Sequence, residues 1–276
     1  MFRLFGRTLE KLLRDVDALD EVSFAAFTAR LMAGPIARRH RTVFWGDRMM
    51  TLDKTAGFRE DAAAADAFAS IRGSVRYDQY DGADSIAWRL HTLLWAARQG
   101  LALEGDFVEC GVFKGDMSWV LVRALDFGQV RKVFYLYDTF AGFLPAQATP
   151  ADFPDDPGFL EFAGRIYTTE SSHAAVVERF SPFPNVRIVQ GAVPGSFAIA
   201  APDRIAFLHL DLNSPAAEEA ALHALFDRVT KGAAIVLDDY GWRQFRRQKE
   251  VADAFFVSRG LHVLELPTGQ GLVVVA

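Results

Sequence analysis

Cysteine is the scarcest residue in this chain of 276 amino acids, with Cys110 as its single example. One cysteine excludes a framework of intrachain disulfides, and its place inside a predicted strand favours a buried structural thiol. Long apolar runs are also missing, because no segment reaches the roughly 18 residues that a membrane span needs. The first residues, Met1–Arg7, lack the apolar core and cleavage site of a signal peptide. We therefore expect a soluble cytoplasmic protein with no membrane partner.

A surplus of positive charge is absent too. The 30 lysines and arginines are outnumbered by 35 aspartates and glutamates, which leaves a formal net charge of −5. Proteins that bind a nucleic-acid backbone carry a basic stripe or patch, so we expect no nucleic-acid partner. The length fits one sizeable α/β domain with an N-terminal extension, or two small domains. No internal repeat or low-complexity segment is visible.

The first part of the chain is predicted to be helical. Apolar residues recur at helical spacing in four segments: Leu9–Leu19, Phe24–Met32, Asp61–Ile71 and Ser85–Leu101. The segment Thr42–Met50 is less regular and is either a strand or a loop, and its aromatic pair is best explained as core packing. We predict a helical N-terminal extension over residues 1–84 and a second domain over residues 85–276.

From residue 106 onward the pattern changes to alternating strands and helices. This alternation is typical of an α/β fold with a doubly wound, mostly parallel sheet. The candidate strands are Phe107–Cys110, Val133–Tyr137, Val186–Gln190, Ile205–Leu210 and Ala233–Leu237.

The later helices and the end of the chain have clear boundary signals. Ser214 is predicted to cap the helix after the fourth strand, and Lys231-Gly232 to end it. A helix near Lys249–Arg259 then leads to two strands, Leu261–Leu266 and Leu272–Val275. Because the turn between these strands is short, they must form an antiparallel hairpin.

The segment Gly105–Ser118 carries the most specific pattern. A short strand ends at a carboxylate, Glu109, passes through Gly111 and Gly115, and opens a helix (roughly Met117–Leu125). Glycine lets the backbone approach a ligand closely, and a helix start presents unpaired N–H groups. A carboxylate beside that turn favours a ligand with a positive charge or free hydroxyls over a phosphate. This acid-x-Gly-x-x-x-Gly arrangement resembles the cofactor loop of class I S-adenosylmethionine (SAM) methyltransferases.

Polar residues follow the predicted strand ends, where ligands collect in open α/β sheets. Asp138 either accepts hydrogen bonds from both ribose hydroxyls of the cofactor or caps whatever follows Phe140. Glu109 either faces the amino group of the cofactor's methionine part or orients the loop. Gln190 and Gly191 lie by the adenine, or Gly191 serves only a turn. The complete set predicted to bind the cofactor is Glu109, Gly111, Gly115, Ser118, Asp138, Thr139, Gln190 and Gly191.

Three carboxylates follow the fourth and fifth strands, namely Asp211 and the pair Asp238-Asp239. These strands should be neighbours, and carboxylates that are brought together repel one another unless a cation or shared protons compensate. Oxygen ligands favour Mg²⁺, which lowers the pKa of a bound hydroxyl, and Asp211 is the candidate base for the released proton. Alternatively, Asp239 caps the following helix and Asp211 bonds to a nearby loop. His209 is predicted to be a core or supporting residue.

Two further segments have open roles. The long, proline-rich segment Phe140–Tyr167 is either a lid over cofactor and acceptor or a packed surface excursion. The basic cluster at residues 243–249 either meets an anionic acceptor, such as a nucleotide-linked sugar, or forms a solvated helix face.

Five blocks of the sequence together identify a family resemblance: Gly105–Val112, Asp138–Phe143, Leu208–Asp211, Val236–Tyr240 and Pro267–Gly271. In this order they resemble the macrocin O-methyltransferase family, bacterial metal-dependent SAM enzymes that methylate sugar hydroxyls on natural products. The resemblance implies a sugar or glycosylated small metabolite as acceptor, and a metal held by Asp211, Asp238 and Asp239. One departure is present. The family pattern after the fourth strand is Leu-Asp-x-Asp-x-Tyr, and Asn213 replaces the second aspartate, so the substrate side of the site is altered.

The expectation is therefore a SAM-dependent O-methyltransferase assisted by Mg²⁺, with two rivals. A nicotinamide-dependent dehydrogenase needs a third glycine in Gly-x-Gly-x-x-Gly spacing, which Gly111 and Gly115 do not provide. A non-catalytic relative that binds SAM or a partner protein, with Asn213 marking a decayed site, stays open. So does a homo-oligomeric state.

Overall fold

The computed structural model describes residues 43–74, 86–156 and 158–276. Its strands and helices, in chain order, are β1 (Val43–Gly46), β2 (Met49–Leu52), α1 (Ala62–Ala69), α2 (Ala87–Leu101), β3 (Asp106–Cys110), α3 (Asp116–Ala124), β4 (Phe134–Asp138), α4 (Phe159–Thr169), α5 (His173–Phe180), β5 (Val186–Gln190), β6 (Ile205–Leu210), α6 (Pro215–Leu225), β7 (Val229–Leu237), α7 (Arg246–Val257), β8 (Leu264–Glu265) and β9 (Gly271–Val274). The predicted helices Leu9–Leu19 and Phe24–Met32, and the predicted boundary between residues 84 and 85, lie outside the described residues.

Seven strands form one sheet in the order β5-β4-β3-β6-β7-β9-β8. The strands β3 to β7 pair in parallel, whereas β9 runs antiparallel to β7, and β8 antiparallel to β9. The strand order reverses between β3 and β6, and such a switch point leaves a crevice at the carboxyl ends of the strands. The prediction of a doubly wound, mostly parallel sheet with a C-terminal antiparallel hairpin is confirmed, and β6 and β7 are neighbours as expected.

Helices cover both faces of this sheet. Alternate residues of a strand point to opposite faces, so Phe107 and Phe207 enter a core shared with α1, α2, α3 and α5. Val108 and Leu208 enter a second core, shared with α6 and α7. Because both faces are buried, the central strands read as nearly continuous apolar runs. The open end of the sheet is therefore the part available for a ligand.

Within the predicted N-terminal extension, the segment Thr42–Met50, for which a strand and a loop were both open, contains β1 and the start of β2. β1 and β2 form an antiparallel hairpin. Asp47 and Arg48, at its turn, have φ values of 52° and 55°, as a two-residue type I′ turn requires. Phe44 is buried and meets Phe58 and Trp88 edge to face, with ring centroids 5.6 and 5.8 Å apart. The core-packing prediction is confirmed for this aromatic residue.

A second correction concerns the boundary between α6 and β7. The helix ends at Leu225 rather than at Lys231-Gly232, and a 3₁₀ turn (Phe226–Arg228) leads into β7 at Val229. Gly232 has a φ of +87° and lies inside β7, between paired residues where the register with β6 shifts. Glycine with positive φ occurs in a β-bulge as well as at a helix end. The prediction that Gly232 adopts a special backbone conformation was therefore right, and its assignment to a helix end was wrong.

The proline-rich segment Phe140–Tyr167 is partly helical, so its final part is not the loop that was predicted. A 3₁₀ turn forms at Pro150–Asp152, and α4 begins at Phe159. Phe159 meets Phe245, beyond β7, edge to face at 5.1 Å and 90°. The segment thus packs around its own apolar cluster, which reaches across the end of the sheet.

The remaining helices lie close to their predicted positions. α1 and α2 fall within the predicted segments Asp61–Ile71 and Ser85–Leu101, and α3 begins one residue before Met117. No helix in the described part of the chain is long and apolar enough to cross a membrane.

Candidate active site

A cavity of about 440 Å³ opens at the carboxyl ends of the parallel strands. The predicted site residues on its wall are Gly111, Asp138, Thr139, Gly191, Asp211, Asp238 and Asp239. The predicted site residues outside that lining are Glu109, Gly115, Ser118 and Gln190. The sequence therefore identified both the glycine loop (Gly111–Gly115) and the acidic residues that share this one cavity.

The glycine loop is shaped by close backbone contacts. Gly111 has a φ of +88°, and a Cβ atom there would lie 1.8 Å from the backbone oxygen of Asp211. Gly115 caps α3 with a φ of +78°, and a Cβ atom there would lie 2.6 Å from the Phe180 ring. Only glycine fits either position without strain. The first glycine lets the ends of β3 and β6 approach each other, and the second turns the chain into α3.

Asp138 organises the same loop from the end of β4. Its Oδ2 accepts hydrogen bonds from the backbone N–H groups of Val112 (2.7 Å) and Phe113 (2.9 Å). Its Oδ1 accepts from the N–H of Phe140 at 2.6 Å. The structure is compatible with both predicted roles of Asp138. Its carboxylate accepts from the N–H of Phe140, as a cap does, and it also lines the cavity. Oδ2 thus accepts two hydrogen bonds and Oδ1 one, so the remaining acceptor position for a ligand hydroxyl is on Oδ1.

The predicted adenine side lies where β4 and β5 end side by side. Thr139 and Gly191 line the cavity. Gln190 is exposed, and its Nε2 donates to the Thr139 carbonyl at 3.4 Å. Gly191 has a φ of 148°, a conformation that L side chains rarely adopt. This corner is formed by backbone and by uncharged residues, which would suit a flat, uncharged ring.

Glu109 and Ser118 lie behind the cavity wall. Glu109 is buried, and its Oε1 is 2.8 Å from Nδ1 of His209, its neighbour on β6. Burial alone would lower the pKa of His209, but the hydrogen bond to Glu109 and the charges of Glu109 and of Asp238, whose Oδ1 lies 3.7 Å from Nε2, raise it to about 10. The ring of His209 is buried between these two carboxylates, which places it in the core as predicted. The hydroxyl of Ser118 is buried and has no partner among the described residues.

The three predicted metal ligands converge. Asp211, Asp238 and Asp239 each offer a carboxylate oxygen, and these three atoms lie within 4.8 Å of one another. We call these residues the acidic trio. Oδ1 of Asp211 accepts from Nδ2 of Asn213 at 3.0 Å. Oδ2 of Asp239 is buried and finds no partner in the part of the chain that the structure describes. A set of carboxylate oxygens with one orphaned acceptor fits a hard divalent cation such as Mg²⁺.

The charges of the trio interact strongly. Burial, with the Asp238 charge adding to it, raises the pKa of Asp211 to about 7. Burial and both neighbouring carboxylates also raise the pKa of Asp239. Burial alone would raise the pKa of Asp238 too, but Arg89 and His209 outweigh it and lower that pKa. Carboxylates this close repel one another unless a proton or a cation lies between them, and a bound divalent ion would favour the ionised form of all three.

Three side chains of the acidic end were not predicted from the sequence. Nη1 of Arg89, on α2, donates to Oδ2 of Asp238 at 3.1 Å. Nε2 of Gln270, in the turn before β9, donates to Oδ1 of Asp238 at 2.9 Å. Asp47, in the hairpin turn, holds the other edge of Arg89. One signal was available, because Arg89 lies between the apolar residues Trp88 and Leu90 in the first turn of α2.

Aromatic residues form the remaining wall. Phe143 and Phe159 come from the proline-rich segment, and Trp242 and Phe245 from the segment after β7. The proline-rich segment therefore covers the cavity and does not form a separate surface excursion. The basic cluster at residues 243–249 is engaged with acidic neighbours instead, for example Lys249 with Glu265 at 2.7 Å.

This sheet order, with a ligand cavity at its switch point, defines the class I SAM methyltransferase fold, and solved structures share it. The O-methyltransferase NovP matches with a TM-score of 0.58 at 18% identity, over 80% of this chain and 98% of NovP. The calicheamicin methyltransferase CalS11 matches with a TM-score of 0.50 at 14% identity, over 81% of this chain and 94% of CalS11.

The sequence places the chain more closely. The family model Macrocin-O-methyltransferase (TylF) matches residues 88–262, more than half of the chain. The chain belongs to this family and is a SAM-dependent O-methyltransferase, which confirms the resemblance and the enzyme class. None of the curated proteins matches the chain significantly.

Proposed function

We propose that this enzyme transfers the methyl group of SAM to a hydroxyl of a sugar or glycosylated small metabolite, with Mg²⁺ bound by the acidic trio. The observation that carries the proposal is the convergence of three carboxylate oxygens within 4.8 Å, in the same cavity as the glycine loop. The sulfonium of the donor is positively charged and is favoured by nearby carboxylates. The acceptor hydroxyl is a weak acid, and a bound cation would help it to lose its proton.

The cofactor lies along the ends of β3, β4 and β5. Gly111 lets the backbone approach its methionine part, and Asp138 accepts from a ribose hydroxyl through Oδ1 while its Oδ2 holds the loop amides. Thr139 and Gly191 border the adenine, with Gln190 at the outer edge. Three residues, Glu109, Gly115 and Ser118, support the loop from behind.

The reaction needs an in-line approach and a proton acceptor. The acceptor oxygen attacks the methyl carbon, the carbon–sulfur bond breaks, and S-adenosylhomocysteine leaves as a neutral thioether. Asp211, which lines the cavity, takes the hydroxyl proton. Asn213 cannot take this role, since an amide is no base at neutral pH. Bound Mg²⁺ supplies a positive charge that lowers the pKa of the hydroxyl, and Asp211, Asp238 and Asp239 would hold it.

The wall opposite the cofactor suits a sugar ring. Trp242, Phe159 and Phe245 present apolar faces, and the carboxylates beside them accept hydrogen bonds from hydroxyl groups. Cavities of this size, with apolar walls and a few polar groups, are typical of small-molecule sites. Both properties support an uncharged, hydroxyl-rich acceptor.

Calorimetry and a methylation assay test the proposal. We expect SAM and S-adenosylhomocysteine to bind in EDTA, and methyl transfer to a panel of sugars and glycosides to require added Mg²⁺. Transfer that is undiminished in EDTA would remove the metal from the proposal. Binding of SAM without turnover on any acceptor, with any divalent ion, would favour the non-catalytic alternative.

A further inference from the structure

Two ion pairs, Asp47–Arg89 and Arg89–Asp238, link the N-terminal hairpin to the acidic trio. The side chain of Asp47 is fully buried. Its Oδ1 accepts from Nε of Arg89 at 2.9 Å. Its Oδ2 accepts from the backbone N–H groups of Trp88 at 2.7 Å and Arg89 at 3.3 Å. One carboxylate thus bonds to both the backbone and the side chain of the same arginine.

These bonds replace a missing helix cap. The residue before α2 is Ile86, whose side chain supplies no capping hydrogen bond. The first N–H groups of a helix need an acceptor from elsewhere, and Asp47 provides it from a turn about forty residues earlier in the chain. The hairpin therefore fixes where α2 begins, and with it the position of Arg89.

Arg89 carries this restraint into the active site. Its Nη1 donates to Oδ2 of Asp238 at 3.1 Å, while Gln270 donates to Oδ1 from the opposite end of the chain. Asp238 is consequently held on both oxygens. A guanidinium presents its donors in a rigid planar fork, so it can bond to Asp47 and Asp238 at once and fix the distance between them.

We propose that Arg89 is a positioning residue that fixes Asp238 within the acidic trio. We also propose that the hairpin turn contributes to the site, because Asp47 holds Arg89 in place. The inference deepens the proposed function and rests on it, because its consequence is the geometry offered to the cation. Groups that orient a metal ligand from outside typically account for 10- to 100-fold in metal affinity.

The first experiment needs no metal. Urea unfolding in EDTA compares D47N, D238N and the double variant in the native chain and in chains that also carry R89M. If Arg89 links the two carboxylates, the shifts of the unfolding midpoint are non-additive with Arg89 present and additive without it. R89Q, which also removes the positive charge, takes the place of R89M if the latter does not fold. Additive shifts in both backgrounds would overturn the inference.

The second experiment measures the consequence. We expect R89M to weaken Mn²⁺ binding to the protein about tenfold, R89K and D47N to weaken it less, and all three to keep the affinity for S-adenosylhomocysteine. The recovery by lysine separates positioning from general damage. Tighter Mn²⁺ binding in R89M would overturn the inference, because Arg89 would then be a cation that competes with the metal.

A matched control lies on the same helix. Arg98 of α2 pairs with Asp61 at 2.5 Å, and Asp61 caps α1 through the N–H of Ala64. This more exposed pair also joins a helix-capping carboxylate to an arginine of α2, and neither residue lines the cavity, so D61N and R98M should leave Mn²⁺ affinity unchanged. An equal loss in R98M would overturn the inference. A native protein without Mn²⁺ affinity would instead refute the metal of the proposed function, and the unfolding cycle would still decide the role of Arg89.

Discussion

The half of the cavity at the ends of β3 to β5 is built largely from backbone, whereas the half at the ends of β6 and β7 is built from charged side chains. In the first, Gly111 and Gly191 leave room for a ligand, and Asp138 spends its carboxylate on nearby loop amides. In the second, Asp238 is held by Arg89 and Gln270, which come from opposite ends of the described chain. The cofactor half is therefore a local structure, and the acidic half exists only once the whole chain has folded.

This difference predicts how each half fails. Damage to the cofactor half should change the loop and the affinity for SAM together, because the same bonds serve both. Damage to the acidic half should abolish chemistry while the cofactor still binds.

The largest effect is expected for D211N. The amide cannot accept the hydroxyl proton and offers a weaker metal ligand, so methyl transfer should fall about 10³-fold. Affinity for S-adenosylhomocysteine, measured by calorimetry, should stay within about twofold of the native value, because Asp211 belongs to the other half. A D211N enzyme with full activity would remove Asp211 from the chemistry.

G111A should damage the cofactor half through sterics alone. The new Cβ atom would lie 1.8 Å from the Asp211 backbone oxygen, and alanine would be strained at the positive φ of this position. We therefore expect the free energy of unfolding to fall by about 3 kcal/mol and SAM binding to be lost. Urea denaturation measures the loss. G57A is the matched control, because no atom lies within 4 Å of a Cβ at Gly57. If G111A were as stable as G57A, the close approach of β3 and β6 would be wrong.

D138A should weaken SAM binding about tenfold, or roughly 1.4 kcal/mol, since the loop amides of Val112 and Phe113 lose their acceptor. Calorimetry gives the affinity, and thermal melting shows that the fold survives. D152A is a suitable control, because Asp152 also accepts from a backbone N–H, that of Thr149, but within the proline-rich segment. Unchanged SAM affinity in D138A would remove Asp138 from the cofactor site.

The smallest effect on methyl transfer is expected for a buried carboxyl outside both halves, whose titration acts on stability. Oε2 of Glu218 accepts from Nε2 of Gln248, and the Oε1 atoms of both residues lack partners among the described residues. One proton on Glu218 would satisfy both oxygens, and burial raises the pKa of Glu218 to about 8 from an ordinary 4.5.

The sign of its pH dependence follows from proton binding. The folded state holds this proton more tightly than the unfolded state, so the contribution of Glu218 is most favourable below pH 4.5 and is lost as pH rises towards 8. Between pH 5 and 8 the native protein should lose about 3 kcal/mol more stability than E218Q, whose amide keeps its hydrogen without a charge. The exposed neighbour variant E219Q should behave like the native protein. If the melting temperatures of the native protein and of E218Q changed in parallel between pH 5 and 8, Glu218 would keep its charge in the folded state.

The predictability of each part follows the same division. The strands β3 to β6 could be located to within a residue or two, because buried parallel strands are apolar runs that end at polar residues. The glycine loop and the trio could be found because each follows a strand end. The β7 start was misplaced, since positive φ at Gly232 serves a bulge or a helix end equally well. Arg89 could not be assigned, because its partner Asp238 lies 149 positions away and no local pattern records such a pairing.

The central claim is that methyl donor and cation share one cavity at the switch point of the sheet. Crystals grown with S-adenosylhomocysteine and Mn²⁺, with diffraction recorded at the manganese absorption edge, test it directly. The account predicts the thioether beside Gly111 and a single anomalous peak among Asp211, Asp238 and Asp239. Density for S-adenosylhomocysteine elsewhere, or an acidic trio whose carboxylates point apart with no anomalous signal between them, would contradict it.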